Sequence, residues 1–362
     1  MKKLIAFIMV IAVLVLDAGV VNALDKSSKE YGIEEIIEYV MTNNRQIVID
    51  DLDIKIKESQ LFQAKNDAAM AGDVYGVQNV LENRIRKVIR PMEAEAALEY
   101  SKRVKQDNLL LLKQDVYNTF YSILLARMEL EKEEQKLEIA KARFETAKAR
   151  HAKKIISDDD LEMAEYNVFS KTMDYDSVLE KLKLLDMNLK TLMNLPLGGD
   201  QIEIKGEINQ EVIREINLED AINFVDKDIF AAYNKYLSAK KVMEFTDELF
   251  DQQSETYIEN KRKLEMAYNE YEKSKRNREV NIRNTYNDLL NLRDNVNLAE
   301  RYEVLQKKKL DTESLRYEKG QVDIERYYAS KESYIDAAYY KNKAICDFNA
   351  KIRYFNALTG ID

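Results

Sequence analysis

The side chains able to do chemistry in this chain are few and widely separated. There is one cysteine, Cys346, and one histidine, His151. At that separation they cannot share a zinc ion, and a single cysteine forms no internal disulfide. Cys346 lies in a helical apolar run with no base beside it, which reads as a small core residue rather than a nucleophile. Four-helix di-iron proteins need Glu-x-x-His pairs, and the residue three before His151 is Lys148. Asp158, Asp159 and Asp160 form an acidic cluster for which a metal site is the sharp reading. Consecutive residues of a helix point in different directions, so complementing a helix N-terminus is the better account. No nucleophile–base set and no phosphate-binding glycine loop is present. The expectation is no catalytic residue, no metal and no cofactor: not an enzyme.

Two further groups could bind rather than react. Tyr327, Tyr328, Tyr334, Tyr339, Tyr340 and Tyr354 crowd the last helical segment. They could form a stacking surface for a ligand, but helix packing with the hydroxyls at the rim is the simpler account. Lys307, Lys308 and Lys309 could meet a membrane surface or lie on a solvated helix face, and the second is commoner.

The elements that would carry these residues are long helices. The chain has 362 residues, only 9 Gly and 2 Pro, no Trp, and 33% charged residues, so it lacks the breakers that punctuate short elements. Its net charge of −9 is spread along the sequence without a basic stripe, which argues against nucleic acid as a partner. At the start, Lys2 and Lys3 precede an apolar run over 4–16 and small residues around Ala23. Residues 1–23 therefore read as a secretory signal peptide, too short in its core to span a bilayer, with an uncleaved anchor as the alternative. Beyond it no stretch is apolar enough for a transmembrane helix.

Leu109, Val116, Ile123, Leu130, Leu137 and Phe144 recur every seven residues, a coiled-coil stripe. Leu112, Thr119, Ala126, Glu133, Ala140 and Ala147 form the second seam. Pro91 suits a first helical position, so a helix over 91–152 is expected, ~93 Å long at ~1.5 Å per residue. The chain then repeats with an offset of 166: Asn118-Thr119-Phe120 matches Asn284-Thr285-Tyr286, Arg127 matches Arg293, Arg150 matches Arg316, and Asn194 matches Gly360. The stripe returns as Ile282, Leu289, Val296, Leu310 and Tyr317, broken once by Glu303. The opening helices, at Ile33 and Leu218, are offset by 185 instead, which places extra residues of the first half within 72–90. A duplicated unit follows, divided as a first helical repeat over 24–198, a linker over 199–216 and a second repeat over 217–362. Within the linker, Ile202-Glu203-Ile204 alternates like a very short strand. Each long helix should end at a turn from which a second helix returns, at residues 151–158 with Ser157 as cap and at Gly320 with Asp323 as cap.

At these turns the sequence resembles a known family. Arg316-Tyr317-Glu318-Lys319-Gly320-Gln321-Val322, then Ala329, Ala337-Ala338 and Leu358-Thr359-Gly360, is similar to the C-terminal repeat of TolC-type outer membrane efflux proteins. Pro91-Met92, Leu192-Met193-Asn194-Leu195-Pro196 and the helix from Ile33 to Asn44 resemble other parts of that pattern. The resemblance implies an all-α, elongated α-barrel-type protomer and a homotrimeric tube in the outer membrane or cell envelope. It implies a passive efflux or secretion duct working with a periplasmic adaptor and an inner-membrane pump. The adaptor would meet the turns at Lys153, Lys154, Ile155, Ile156, Lys319, Gly320, Gln321 and Val322. Two departures stand out. The positions six and nine after Gly320, acidic in the family, are Arg326 and Ala329, so an acidic constriction does not carry over. Lys154 takes the place of the first turn's glycine.

The family's membrane barrel needs two strands per repeat of ~10 alternating residues each. Residues 239–316 read as helix nearly throughout, with room for a tight turn only near Phe250. Residues 71–90 offer a loop or one short hairpin. Little or no β-structure is expected, and membrane association stays open. An exported coiled-coil structural or scaffold protein derived from the family, without transport, is the competing function.

Overall fold

The structure, a computed structural model, describes residues 30–213 and 217–360; the expected signal peptide at 1–23 lies outside the described residues. Helix α1 (Ile33–Asn43) starts at Gly32, whose N–H donates to the Glu35 carboxylate at 2.9 Å. Asn44 caps α2 (Arg45–Ala69) by accepting from the Gln46 N–H. A loop leads to α3 (Val77–Arg84), which passes through a π-helical turn (Ile85–Ile89) into the long α4 (Arg90–Ala152). After a turn, α5 (Asp158–Leu192) returns alongside α4. The linker leads to α6 (Leu218–Asn223), α7 (Lys227–Leu249), the long α8 (Glu255–Glu318) and its return helix α9 (Ile324–Thr359).

The α-helix expected over 91–152 runs from Arg90 to Ala152 with Pro91 in its first turn, but the chain before it is already helical. Proline lacks the N–H that would bond the Lys87 carbonyl, and its ring crowds that carbonyl. The chain accommodates this by widening rather than ending: the Arg90 N–H reaches back five residues to Ile85 in the π-turn. Helical structure is thus continuous from Val77 to Ala152. The residues inserted before α4 form a loop, a short helix and the π-turn, not a hairpin. Among the described residues the only β-pairing is a single parallel bridge between Tyr31 and Ile204. The short strand expected at residues 202–204 is reduced to that bridge, since only Tyr31 lies beside it and no second strand extends the ladder.

Toward the turn end the helices lie side by side in the order α5, α4, α9, α8; toward the opposite end the order is α2, α4, α7, α8. Neighbours alternate in direction, as paired residues show: Lys181 of α5 with Glu129 of α4, Lys136 of α4 with Asp336 of α9, and Lys341 of α9 with Glu303 of α8. The heptad stripes form two cores. Val116, Phe120 and Ile123 pack with Ile36 and Val40 of α1, Leu189 of α5 and Met193 at its C-terminal cap. Ile282, Leu289 and Val296 pack with Phe348, Ile352 and Phe355 of α9. Burying each of these side chains contributes ~1.5–3 kcal/mol. Glu303, the break in the second stripe, stays half-buried by pairing with Lys341 at 3.2 Å.

The linker straps the layer at mid-height. On α5, Asp186 pairs with buried Lys190 at 2.7 Å and accepts from the Ile202 N–H at 2.8 Å. On α4, Arg127 donates to the Ile204 carbonyl at 2.8 Å. Gly206 then crosses Phe120 so closely that a Cβ would stand 3.0 Å from the ring. On α9, buried Asn349 accepts from the Glu211 N–H and donates to the Asn209 carbonyl, and Arg353 pairs with Glu211.

Candidate functional site

The sequence points to two turns, and the structure builds them as one motif used twice. After α4, the Lys154 N–H donates to the His151 carbonyl at 2.7 Å and the Ile155 N–H to Arg150 at 3.0 Å. After α8, the Gly320 N–H donates to Tyr317 at 2.9 Å and the Gln321 N–H to Arg316 at 2.9 Å. Both are Schellman caps, which need one residue with positive φ. Gly320 supplies it at φ 67°, and Lys154, against the usual preference, at φ 55°. Each returning helix is capped where the sequence indicated: the Ser157 hydroxyl accepts from the Asp160 N–H, and the Asp323 carboxylate from the Arg326 N–H. Asp160 closes a capping box with Ser157. Asp158 bonds His151 across the turn at 2.6 Å. The three aspartates thus serve the helix start, and among the described residues no three acidic, histidine or cysteine side chains converge on a metal site.

Lys153, Lys154, Ile155, Lys319, Gly320 and Gln321 are exposed, and Ile156 and Val322 are half-buried beneath them. No hydrogen bond or ion pair joins the first four of the proposed contact residues to the second four among the described residues. They share one end of the molecule because α4 and α9 are clamped just above them. Arg143 donates to Glu325 through Nε at 2.8 Å and holds Glu332 through both terminal nitrogens at 2.8 and 3.1 Å. Burial opposes its charge, and the hydrogen bonds it donates to these two carboxylates more than restore it. On α8, buried Glu313 takes Arg316 at 3.2 Å and Arg326 at 2.9 Å. Arg326 therefore supports the second turn at a position where the resembled family is acidic. The sequence did not single out Arg143, Glu313, Glu325 or Glu332, because the register between α4 and α9 is not written in either repeat alone.

The tyrosines of α9 do not make a common platform. Tyr327 stacks on Tyr317 at 5.5 Å, Arg143 lies over Tyr328 at 5.7 Å, and Lys132 covers Tyr339 at 4.4 Å. Each serves a neighbouring helix. Burial pushes the Cys346 thiol up to about 11, so it is protonated at neutral pH, as befits a packing residue.

The outer helices of the layer carry a second apolar stripe. On α5, residues 161, 164, 168, 171, 175 and 178 are turned inward. Met163, Tyr166 and Met173 follow this set by two residues, about 200° around the helix, and are 58–68% exposed. On α8, buried Val296 and half-buried Glu303 are followed in the same way by Leu298 and Leu305, 65% and 60% exposed. On α2, Ile49, Leu52 and Ile56 repeat the pattern. The edges also differ in charge. Glu162, Glu165 and Asp176 are exposed on α5, and Arg301, Lys307, Lys308 and Lys309 on α8; none forms an ion pair among the described residues.

The sequence matches no protein-family profile and no curated protein. Its fold does resemble solved structures. It is similar to the outer membrane protein VceC of Vibrio cholerae, at TM-score 0.66 and 13% identity over 91% of this chain and 97% of that one. It is similar to the CmeC outer membrane channel of Campylobacter jejuni, at TM-score 0.67 and 13% identity over 91% and 85%. It is also similar to the MtrE outer membrane channel of Neisseria gonorrhoeae, at TM-score 0.64 and 14% identity over 91% and 89%. The chain has the helical fold of TolC-type outer membrane channels and, among the described residues, no β-barrel.

Proposed function

We propose that this protein is a protomer of a TolC-like duct, a passive conduit of the cell envelope that closes into a homotrimer and receives an adaptor at its two turns. The observation that carries the reading is the pair of unfinished edges. An apolar stripe beside Glu162, Glu165 and Asp176 on α5 and one beside Arg301, Lys307, Lys308 and Lys309 on α8 both face away from the layer. Two different edges that complement each other join head to tail, and such joints make a ring where the rotation between copies closes. The resemblance to outer membrane channels supports a ring of three, an outer membrane or envelope location, and an adaptor and an inner-membrane pump as partners.

The mechanism is geometric. Three four-helix layers would enclose a channel, with the strap fixing its middle and the Arg143 and Glu313 clusters setting the spacing of helices at the turn end. The turns present Lys153, Lys154 and Ile155 in one repeat and Lys319, Gly320 and Gln321 in the other, a repeating surface for an adaptor.

Light scattering of the mature chain tests the ring: a trimer is expected, dispersed by Tyr166→Glu with Leu305→Glu. Removal of residues 153–156 or 320–322 should abolish adaptor capture while leaving the trimer. A chain monomeric at every concentration overturns the duct and favours the second reading, an exported coiled-coil scaffold. That reading draws on the absence of paired strands among the described residues.

A further inference from the structure

Each repeat packs a shorter helix on its long one, α2 on α4 and α7 on α8, and the two pairs treat buried polar groups differently. Between α2 and α4, buried Asp50 accepts from Gln46 at 2.9 Å and from Asn108 at 3.0 Å. Between α7 and α8, Ser238 is 7% exposed, and its hydroxyl makes no hydrogen bond among the described residues. Asn260, 8% exposed, donates through Nδ2 to the Thr246 hydroxyl at 3.0 Å, and its Oδ1 receives no donor among the described residues. Neither oxygen is sealed inside the packing. Buried polar groups are as a rule hydrogen-bonded, so each of these oxygens calls for a water or a ligand.

Both residues line one groove of 430 Å³, formed by α7, α8, the π-turn and the start of α4. That volume lies in the range of small-molecule sites. The groove is closed at one end by Lys235 with Glu270 at 2.5 Å and at the other by Thr246 with Asn260. Between these ends its walls are small and apolar: Ala239 and Val242 on α7, Ala267 on α8 and Ile85 on the π-turn. The two end pairs also set the register, which places Ser238 opposite Ala267. Asn260 lies seven residues from Ala267, so the two open oxygens stand ~10 Å apart along the groove at ~1.5 Å per residue. Four charged residues line it. Lys235 pairs with Glu270, Lys263 pairs with Glu259 at 2.8 Å, and Glu93 alone has no ion pair among the described residues. The lining therefore offers no unpaired cation to an acidic ligand.

We infer that this groove binds a neutral aliphatic molecule with a hydroxyl near each end, one meeting Asn260 Oδ1 and the other the Ser238 hydroxyl. Its chain, about eight carbons long to match the spacing, lies on Val242, Ala239, Ala267 and Ile85. The apolar chain supplies the drive to leave water, and the two oxygens supply the choice between ligands. The site goes beyond the duct reading and does not rest on it, because the groove lies within a single chain.

The probes are the terminal diol of octane and the mono-alcohol octanol, titrated into the full-length protein and followed by saturation-transfer NMR. A merely apolar groove prefers octanol, the more hydrophobic molecule; the site inferred here prefers the diol. Ser238→Ala should weaken the diol about three- to tenfold and leave octanol unchanged. Ala239→Leu, which fills the groove, should weaken both at least about tenfold. Should that variant unfold, the Ser238→Ala result decides. In the wild-type protein the diol should slow hydrogen exchange at residues 235–246 and 260–270. The inference is overturned if neither probe binds, if octanol binds as tightly as the diol, or if Ser238→Ala leaves the diol's affinity intact. It is also overturned if octylamine binds more tightly than the diol, since the Glu93 charge would then govern. A trimer that ignores the diol removes this inference and leaves the duct; a monomer that binds it does the reverse.

Discussion

The two ends of this molecule contrast, and the difference separates what a turn between long helices must satisfy from what the far end can vary. At the turn end the repeats share one backbone plan: two Schellman caps, two side-chain caps, positive φ at residues 154 and 320. At the other end they part, one with a polar five-residue connection and the other with an apolar loop, an extra helix and a π-turn. A turn between two long helices has to satisfy the last carbonyls of one and the first N–H groups of the other within a few residues, and few solutions exist. An end that only extends the rods carries no such demand.

Five substitutions and one titration would break or sharpen this contrast. The largest effect should come from Leu189→Ala and Phe355→Ala, which occupy matching positions in the two cores and are both 0% exposed. Losses of about 2–5 and 3–5 kcal/mol are expected from denaturant unfolding; if either falls well short, the repeats are not packed alike. Next, Arg143→Ala leaves Glu332 and Glu325 without their shared partner and should cost about 1–2 kcal/mol. Faster hydrogen exchange should be confined to the turn-end halves of α4 and α9, and exchange spread to the far end would contradict two separately built ends. Smaller still, Lys154→Gly should stabilise the first turn and Gly320→Lys destabilise the second, each by about 1 kcal/mol. No atom lies within 4 Å of a Cβ at residue 320, so backbone strain alone decides the outcome; the double exchange should be close to neutral.

The smallest effect is one of pH. Hydrogen bonds from the Ser157 hydroxyl and N–H hold the Asp160 carboxyl below the usual aspartate range. A depressed folded value means that its support of α5 is complete above the unfolded value of about 3.9. That support is lost as the pH falls from there through the lower folded value. The Ser157 amide resonance should report the loss, and Asp160→Ala should abolish it. In the second repeat the matching residue is Arg326, so no counterpart titration is expected there.

Most of the helical layout was legible because its signals are local and periodic. Val116, Ile123, Ile282 and Leu289 declared their stripes by spacing, and Gly320, Ser157 and Asp323 declared the turns by type. Asn194 in a glycine's place is explained by its φ of 56°, a conformation asparagine tolerates. What stayed hidden depends on contacts between distant segments. Pro91 signals a helix start by composition, yet α2 and α7 pack against the preceding π-turn and keep that segment helical. The strap bonds of Asn349 and Arg353 span more than a hundred residues. Arg143 looks like any solvated arginine until α9 is placed beside it.

The strap at mid-height has a mechanical consequence. From Arg127, where it grips α4, to the end of that helix at Ala152 is ~38 Å of rod. Beyond that grip the helices are levers with a fixed fulcrum, and a tilt of about 5° there becomes a sideways travel of ~3 Å at the far tip. Packing changes too slight to disturb the middle of the rod are thereby magnified at the end where a partner would touch it.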